Sequence, residues 1–520
     1  RFRERRASLG HGAHVARGAR RLCRLVRPRR STHAPRVGRI AERRAGPPRR
    51  RAPARSLVAV VGLALTTARR RFGGAASAAV AGAPNAAFKK FQAAYIAVYL
   101  LMMAGDWLQG PYMYALYAAY GFEHEQIAAL FVAGFGSSMI FGTFIGSLAD
   151  TVGRKNGALA YVVVYALSCA TKHFRSYNVL LLGRVLGGVA TSLLFSVFDA
   201  WLVAEHAQRG FDAAWLSGTF ANAQAGNSIV AILAGVVGEW SASLAPMRVV
   251  RAGRAGGGAD DGAILVGGYC TPFDAAAVFL VVGGFVIALT WRENYGDSEK
   301  EGKPNRPVLQ QFGESLRKGL QLICRDKRVL LLGFISACFE AAMYAFVFEW
   351  TPAVTDPSPG APKPPYGEIF SVMMICCMAG TRIFTILVET GMPPERFMGG
   401  IFTVSALALG VPALLSANPR ICLVAFLLFE GCVGAYFPAM GTLKSKIIPD
   451  AQRATVYNLF RIPLNLLVLV VLLTKMSTEV IFGAIACLMV VAVLAQHALN
   501  AHLLLKQPGP PAGEDTVQLL

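Results

Sequence analysis

The chain has 520 residues, of which 54% are hydrophobic and 16% are charged, and its mean hydropathy is +0.46. Ordinary soluble domains carry about 25% charged residues, so this composition excludes a water-soluble protein and indicates a membrane protein. The formal net charge of +22 is a poor guide to nucleic-acid binding, because residues 1–71 alone hold 22 arginines against two acidic residues.

The basic N-terminal segment, residues 1–85, is rich in Arg, Ala, Gly and Pro, a composition typical of disordered chain. Three interpretations compete: an organelle-targeting segment, a polybasic arm on anionic lipid, or translated GC-rich DNA upstream of the true start, which suits the missing initiator Met. We favour the last or a disordered arm, and expect no nucleic-acid partner. Residues 56–68 are apolar but shorter than the roughly 20 residues that span a bilayer, which leaves an interfacial helix, a signal-like segment or an extra span.

From residue 93 onward, apolar runs of spanning length recur, and they are continuous rather than alternating. Only helices and closed barrels satisfy the backbone inside a bilayer, so continuous runs indicate helices. The sequence predicts twelve spans: 93–117, 125–149, 157–172, 178–203, 213–238, 273–291, 329–350, 366–389, 399–416, 421–440, 455–474 and 478–499.

Two long connections interrupt the predicted spans. Residues 239–272 contain Gly and Arg, and we expect this connection to be flexible. The second connection divides the spans six and six. The predicted domains are therefore the N-terminal segment, a first bundle, a cytoplasmic linker, a second bundle and a C-terminal tail: 1–85, 86–291, 292–328, 329–500 and 501–520.

The distribution of Lys and Arg in the loops predicts the orientation, because cytoplasmic loops carry an excess of these residues. The linker holds nine of them, Lys89 and Lys90 precede the first span, and two more follow the second span, whereas residues 118–124 have none and 351–365 have one. We therefore expect a multi-pass protein of the cell membrane with both ends of the twelve-helix body in the cytoplasm.

A polar hinge separates the second and third spans. Gly146 and Gly153 allow close backbone approach or a left-handed turn, and Asp150, Arg154 and Lys155 are placed to pair across a cytoplasmic gate. The alternative is an ordinary charged loop. Taken with the twelve spans and the basic linker, the pattern favours the gate.

Ionisable residues inside the spans are costly in a bilayer and usually functional. Arg184 and Asp199 share one face of the fourth span, but at 1.5 Å per residue they lie about 22 Å apart and cannot pair with each other. Other interior charges are Asp106, Glu340, Arg382, Glu430 and Arg461. Since the third, sixth, ninth and twelfth spans have none, a water-filled cavity lined by the other eight explains the pattern better than helix-packing ion pairs.

The hinge at 146–155 resembles the motif between helices two and three of the major facilitator superfamily, although Thr151 stands where that family commonly has Arg. Arg184-x2-Gly187-Gly188 resembles the superfamily's fourth-helix motif. This resemblance implies an all-α membrane protein with twelve transmembrane helices in two six-helix bundles. In that fold helices three, six, nine and twelve are peripheral, and these are the spans without interior charge.

A narrower resemblance, to the eukaryotic molybdate-anion transporter family, covers roughly residues 88–500. It implies high-affinity molybdate uptake and does not cover residues 1–85. The stretches that carry it are Asp106-Trp107-Leu108-Gln109-Gly110-Pro111-Tyr112, Gly183-Arg184 through Phe198-Asp199-Ala200-Trp201, Trp291-Arg292-Glu293-Asn294-Tyr295, Trp350-Thr351-Pro352, Tyr436-Phe437-Pro438, and Pro449-Asp450-x2-Arg453 through Asn458-Leu459-Phe460-Arg461-Ile462-Pro463.

Molybdate is a tetrahedral dianion, and Arg suits it best because its forked guanidinium is always charged. The substrate contacts we expect are three arginines, Arg184, Arg382 and Arg461, with neutral donors from the fifth span, Asn222, Gln224 and Asn227. Four acids are expected to tune the cavity or carry a coupling proton: Asp106, Asp199, Glu340 and Glu430.

The expected mechanism is alternating access, in which the two halves rock about the site without making or breaking a bond, so we expect no enzyme activity. The ten cysteines lie mostly in apolar runs without metal-site spacing, and no cofactor or metal is expected. We expect a monomer in the lipid bilayer. Two alternatives stay open: a carrier of the same superfamily for another anion, such as sulfate or an organic acid, and a non-transporting membrane scaffold.

Overall fold

The computed structural model describes residues 84–142, 145–253, 261–295, 308–356, 358, 361–416, 418–449, 453–474 and 476–504. The predictions for the basic segment up to residue 83, including residues 56–68, lie outside the described residues. So does the prediction of a C-terminal tail from residue 505 onward.

Within the described ranges, each predicted span coincides with a helix, and the predicted fold of two six-helix bundles is confirmed. Ten of these helices are long and apolar enough to cross a membrane; the third begins with Arg154 and Lys155, and the apolar part of the eleventh is short. In order, the twelve spans are Ala86–Trp107 with Met113–Ala119, His124–Gly142 with Ile145–Val152, Arg154–Thr171, Tyr177–Gln208, Ala213–Ser243, Thr271–Thr290, Lys327–Val354, Tyr366–Glu389, Pro394–Leu415, Pro419–Ile447, Arg453–Leu473 and Thr478–Leu504.

Several spans begin at a side chain that caps the helix N-terminus. The Asn85 side chain accepts a hydrogen bond from the Phe88 amide at 2.7 Å, and Asp212 and Asp326 cap the fifth and seventh spans in the same way. Such caps satisfy backbone N–H groups that have no partner inside the helix. The first span bends at the 3-10 turn Gly110–Tyr112, where Pro111 interrupts the α-helix.

The predicted linker contains an additional helix, Val308–Arg325, which sequence reasoning did not anticipate. It packs against the seventh and eleventh spans, and therefore belongs to the second bundle. Its Leu and Ile residues recur at helical spacing between Lys and Arg, a pattern typical of a helix with one apolar face.

A small sheet covers the end of the first bundle that lies away from residues 150–155. Its strands are Phe174–Arg175 (β1), Arg248–Arg251 (β2) and Ala263–Val266 (β3), antiparallel in the order β1-β3-β2. The expectation of a flexible connection over 239–272 is therefore wrong for its described part, where aliphatic runs pair as strands. We call the end with this sheet the hairpin side, and the end with residues 150–155 the linker side.

His173 fastens this sheet to the sixth span. Its Nδ1 donates to the Leu265 carbonyl oxygen at 2.8 Å and its Nε2 to the Asp274 carboxylate at 2.7 Å. Only a protonated ring can donate through both nitrogens. The hydrogen bond to Asp274, followed by one to Cys270, raises the pKa of His173 to about 10.

Because the folded pKa of His173 is raised, its contribution to stability is complete below the ordinary value of about 6.5 and is lost as pH rises through about 10. We expect Asp274→Asn to lower the Tm of the purified protein at pH 7, with the gap to the parental chain closing by pH 10.5. Thermal unfolding across this pH range measures it. Asp356→Asn, an exposed loop carboxylate on the same side, is the control and should show no such gap; a constant gap for Asp274→Asn would contradict the prediction.

Candidate functional site

A cavity of about 200 Å³ lies between the two bundles. The first, second, third and fourth spans line it from one bundle, and the seventh and eleventh from the other. The third span contributes Tyr165 and Ser168, so the expectation that this span stays peripheral to the cavity is wrong. The polar lining of the cavity as a whole consists of Gln109, Ser138, Tyr165, Ser168, Arg184, Thr191, Tyr344, Arg461 and Asn465.

Arg184 is held in place by the second span. Its Nε donates to the Leu130 carbonyl oxygen at 3.1 Å, and its guanidinium lies 4.8 Å from the centre of the Phe131 ring. Gly134 makes this position possible, because a Cβ there would come within 2.5 Å of the Arg184 guanidinium. With Nε engaged, the remaining N–H groups of Arg184 are available to the cavity.

Arg461 reaches the same cavity from the second bundle. Its Nη1 lies 3.6 Å from where a Cβ on Gly142 would stand, so its side chain extends to the second span. Arg461 is exposed and forms no ion pair with any other residue that the structure describes. The two arginines thus approach one space from opposite bundles, and neither is neutralised by a described carboxylate.

Two of the neutral polar side chains of the lining, Gln109 and Tyr165, have informative contacts. Gln109 is buried; its Nε2 donates to the Gly105 carbonyl oxygen at 3.0 Å, whereas its Oε1 finds no partner among the described residues. Tyr165 donates to Asp106 at 2.6 Å, so the carboxylate acts on the cavity through this hydroxyl. Sequence reasoning placed the neutral donors on the fifth span alone, and it therefore missed the neutral residues of this lining, which lie on other spans: Gln109, Ser138, Tyr165, Ser168, Thr191, Tyr344 and Asn465.

The structure places the other predicted substrate contacts outside this cavity lining. Arg382 lies 3.8 Å from Glu389, and both side chains are more than 60% exposed. Asn227 accepts a hydrogen bond from the Trp107 indole at 2.8 Å, which joins the fifth span to the first. Asn222 is partly buried and Gln224 is exposed, both on the fifth span.

The remaining predicted acids occupy three different surroundings. Asp199 is exposed near the linker side and accepts from the Tyr95 hydroxyl at 3.3 Å. Glu430 is buried within the tenth span. Glu340 accepts hydrogen bonds from three groups at 2.6 to 3.4 Å: Ser336, Tyr436 and Lys444.

The hinge residues make their contacts inside the first bundle. Arg154 pairs with Asp150 at 2.7 Å and donates to the Ala200 carbonyl oxygen at 3.2 Å. Lys155 donates through its backbone amide to the Glu293 carboxylate at 2.7 Å, which supplies an acceptor at the start of the third span. Gly146 lies in the helix Ile145–Val152. These contacts do not pair the two bundles, and the gate stays a prediction.

Residues 291–293, which follow the sixth span, pack against the fourth span and the hinge. The Trp291 ring stacks on Trp201 at 3.7 Å, and the Trp201 indole donates to the Arg292 carbonyl oxygen at 2.8 Å. Gly153 has φ +107° and no room for a Cβ beside the Glu293 carboxylate. Glycine is therefore required there, both for the positive φ and for the space.

The fifth and eighth spans close the cavity toward the hairpin side. Glu239 accepts from the Tyr112 hydroxyl at 2.8 Å and from the Gly367 amide at 3.0 Å. The two backbones touch at Gly235, where a Cβ would come within 2.5 Å of the Gly367 carbonyl oxygen. Ser371 donates to the Ile232 carbonyl oxygen at 2.8 Å across the same contact. Sequence reasoning did not predict this contact between the fifth and eighth spans, because no local sequence pattern identifies a glycine that packs against another helix.

A second contact closes the same side between the second and seventh spans. His124 lies 3.2 Å from the fully buried carboxylate of Glu349, which also accepts from the Thr478 hydroxyl at 2.9 Å. Toward the linker side, the face of the fourth span that carries Arg184 and Thr191 also carries Phe195, and this side chain is 62% exposed. The cavity is therefore closed toward the hairpin side and open toward the linker side.

Comparisons with known proteins agree with this architecture. A family model described as "Sugar-tranasporters, 12 TM" matches residues 56–253 and 258–433. A molybdate-anion transporter from Takifugu rubripes is 34% identical over 478 residues, which cover 85% of this chain and 92% of the relative. One from Xenopus tropicalis is 36% identical over 390 residues, 74% of this chain and 78% of the relative.

Among solved structures, the inward open conformation of the xylose transporter XylE from E. coli superposes with a TM-score of 0.57. The match covers 79% of this chain and 95% of that one. At 14% identity this likeness shows a shared fold and nothing about a shared substrate.

Proposed function

This chain belongs to the molybdate-anion transporter family of the major facilitator superfamily, and we propose that its own cargo is molybdate. It is a multi-pass membrane transporter. The observation that supports the proposed cargo is the pair of arginines, Arg184 and Arg461, which line one cavity from opposite bundles without a described acidic partner.

The charge and size of the cavity suit a small oxyanion. Removing a dianion from water is costly unless opposite charges receive it, and two guanidinium forks match both the charge and the oxygen geometry of a tetrahedral oxyanion. The cavity of about 200 Å³ is smaller than the roughly 300–1,000 Å³ of pockets that hold drug-sized ligands. A neutral sugar would leave both arginines without a counter-charge, so this site favours an anion over the sugars in the family model's description.

The position of the arginines suggests how transport proceeds. Because one belongs to each bundle, a bound dianion joins the bundles, and rocking of one bundle against the other exposes the site to either side. Following the predicted orientation, we place the linker side in the cytoplasm and the protein in the cell membrane. The conformation described here then corresponds to release into the cell.

Among the acids, Asp106 is the one we assign to coupling. It lies within the first span and acts on the cavity through the Tyr165 hydroxyl, without a described cationic partner. Glu340, in contrast, is balanced by Lys444. We assign Arg382 no contact with the anion in this conformation, because its partner is Glu389.

An oxyanion panel tests the proposal. Cells expressing the chain should accumulate molybdenum, measured by mass spectrometry, and a hundredfold excess of sulfate should leave this uptake nearly unchanged. Accumulation of sulfate without molybdenum would replace the proposed cargo by another dianion. Normal surface abundance with no accumulation of any oxyanion would favour a non-transporting scaffold.

A further inference from the structure

Lys172, at the hairpin-side end of the third span, carries a buried amine outside every motif discussed above. Its side chain is among the largest that are fully buried. The amine donates to the Ser168 carbonyl oxygen and to the Thr171 hydroxyl, both at 3.2 Å. Among the residues that the structure describes, no carboxylate lies within 4 Å of this amine.

The acids in this part of the bundle have other partners. Asp274 binds His173, and Asp106 accepts from Tyr165. A buried cation that has only neutral oxygen partners is expensive, because it has lost its hydration without gaining an opposite charge. Burial, followed by the nearby Arg184 guanidinium, lowers the pKa of the Lys172 amine to about 7, so the amine is charged in only part of the molecules at neutral pH and in most of them at pH 6. This charge has no carboxylate to neutralise it among the described residues, and it can act on an anion placed nearby.

Two contacts put Lys172 directly behind the cavity wall. Ser168, whose carbonyl accepts from the amine, lines the cavity, and its hydroxyl donates to the Gly183 carbonyl oxygen at 2.6 Å. The amine also lies 2.9 Å from where a Cβ on Gly183 would stand. Since Gly183 precedes Arg184, the cation is adjacent to the arginine that faces the cavity.

We propose that Lys172 sets the charge selectivity of the cavity, favouring a doubly charged oxyanion over a singly charged one of the same shape. This inference rests on the proposed function. Lys172 lies outside the cavity lining, so it acts as a positioning residue whose field adds to that of Arg184. The energy of an anion in this field is proportional to its charge, so at the screening typical of protein interiors a charge that does not contact the anion changes affinity about threefold for a monoanion and about tenfold for a dianion.

The test compares molybdate with perrhenate, a tetrahedral monoanion of similar size, in cells expressing the full chain. For Lys172→Met at pH 6 we expect the KM for molybdate to rise about tenfold with kcat nearly unchanged, while inhibition by perrhenate weakens about threefold. The preference for the dianion should therefore fall about threefold. Thr171→Val is the matched control, because it removes one hydrogen bond to the same amine but keeps the charge; its preference should stay at the parental value.

If Lys172→Met weakened the binding of molybdate and perrhenate by the same factor at normal surface abundance, the inference would be overturned. Lys172 would then have a structural role only. Should Lys172→Met fail to reach the membrane, the same ratio is measured for Lys172→Gln from ligand-induced thermal shifts in detergent, and an unchanged ratio there also overturns it. The parental chain separates the two proposals. Absent molybdate uptake in that chain overturns the proposed function and this inference with it, whereas a parental preference that survives in Lys172→Met overturns only the role of Lys172.

Discussion

Replacing Arg461 by alanine is expected to lower kcat/KM for molybdate about thirtyfold. Removing one member of a desolvated, hydrogen-bonded charge pair costs about 2–5 kcal/mol, and each 1.4 kcal/mol corresponds to about a factor of ten. We expect a cost at the lower end of this range, because Arg461 is exposed in this conformation. In the variant, water can therefore replace part of the hydrogen bonding that the guanidinium gives to the anion. Arg461→Lys keeps the charge but loses the forked guanidinium, so its kcat/KM should lie between those of the parental chain and Arg461→Ala.

Molybdenum accumulation, normalised to surface abundance, measures this effect. Arg382→Ala is the matched control: it also removes an arginine from the second bundle, but one that is outside the cavity lining and next to Glu389. Its uptake should stay near the parental level. The assignment of the site would be wrong if Arg382→Ala lost as much uptake as Arg461→Ala.

Gly367→Val is expected to prevent closure on the hairpin side. A Cβ at this position would overlap the Gly235 carbonyl oxygen, a backbone atom that cannot rotate away. Overpacking of this kind costs about 1–3 kcal/mol, and because the cost is confined to the closed conformation, the population should shift about 5- to 150-fold toward the conformation open on that side. Uptake should fall with the loss of the closed state.

Accessibility of the cavity from the hairpin side measures this shift. Ser138→Cys places a thiol on the cavity lining, and a membrane-impermeant thiol reagent should label it in the Gly367→Val chain more than in the parental chain. The same pair of chains without Ser138→Cys corrects for the native cysteines. Gly410→Val is the control, since a Cβ there meets nothing within 4 Å. Equal labelling in all three backgrounds would show that this glycine contact does not seal the cavity.

The sequence was most informative where the bilayer leaves the chain few choices. A continuous apolar run that spans the bilayer must be helical, so the twelve helices could be placed from hydropathy alone. The sheet could not, because β1 pairs with β3 across about ninety residues and no local pattern encodes that pairing. The linker helix was missed for a different reason, since its short apolar stripe lies among charged residues that also suit a loop.

The candidate site divides in the same way. Arg184 and Arg461 were recognised because a charge inside a span needs a reason, and both line the cavity. Arg382 has the same sequence signal, yet it lies beside Glu389, because the rotation of its helix is set by packing that a single sequence does not reveal. Tyr165 was not recognised, since an aromatic residue in a span usually packs against other helices or lipid.

The fastening of residues 291–295 to the first bundle limits how far the two halves can separate. Trp291 stacks on the fourth span, and the helix Val308–Arg325 packs on the second bundle, so both ends of the covalent tether are fixed. Only residues 296–307 connect Tyr295 to Val308, and at roughly 3.5 Å per residue this tether reaches about 45 Å when fully extended. Its length sets a mechanical upper bound on the rocking stroke, independent of lipid, substrate or driving ion.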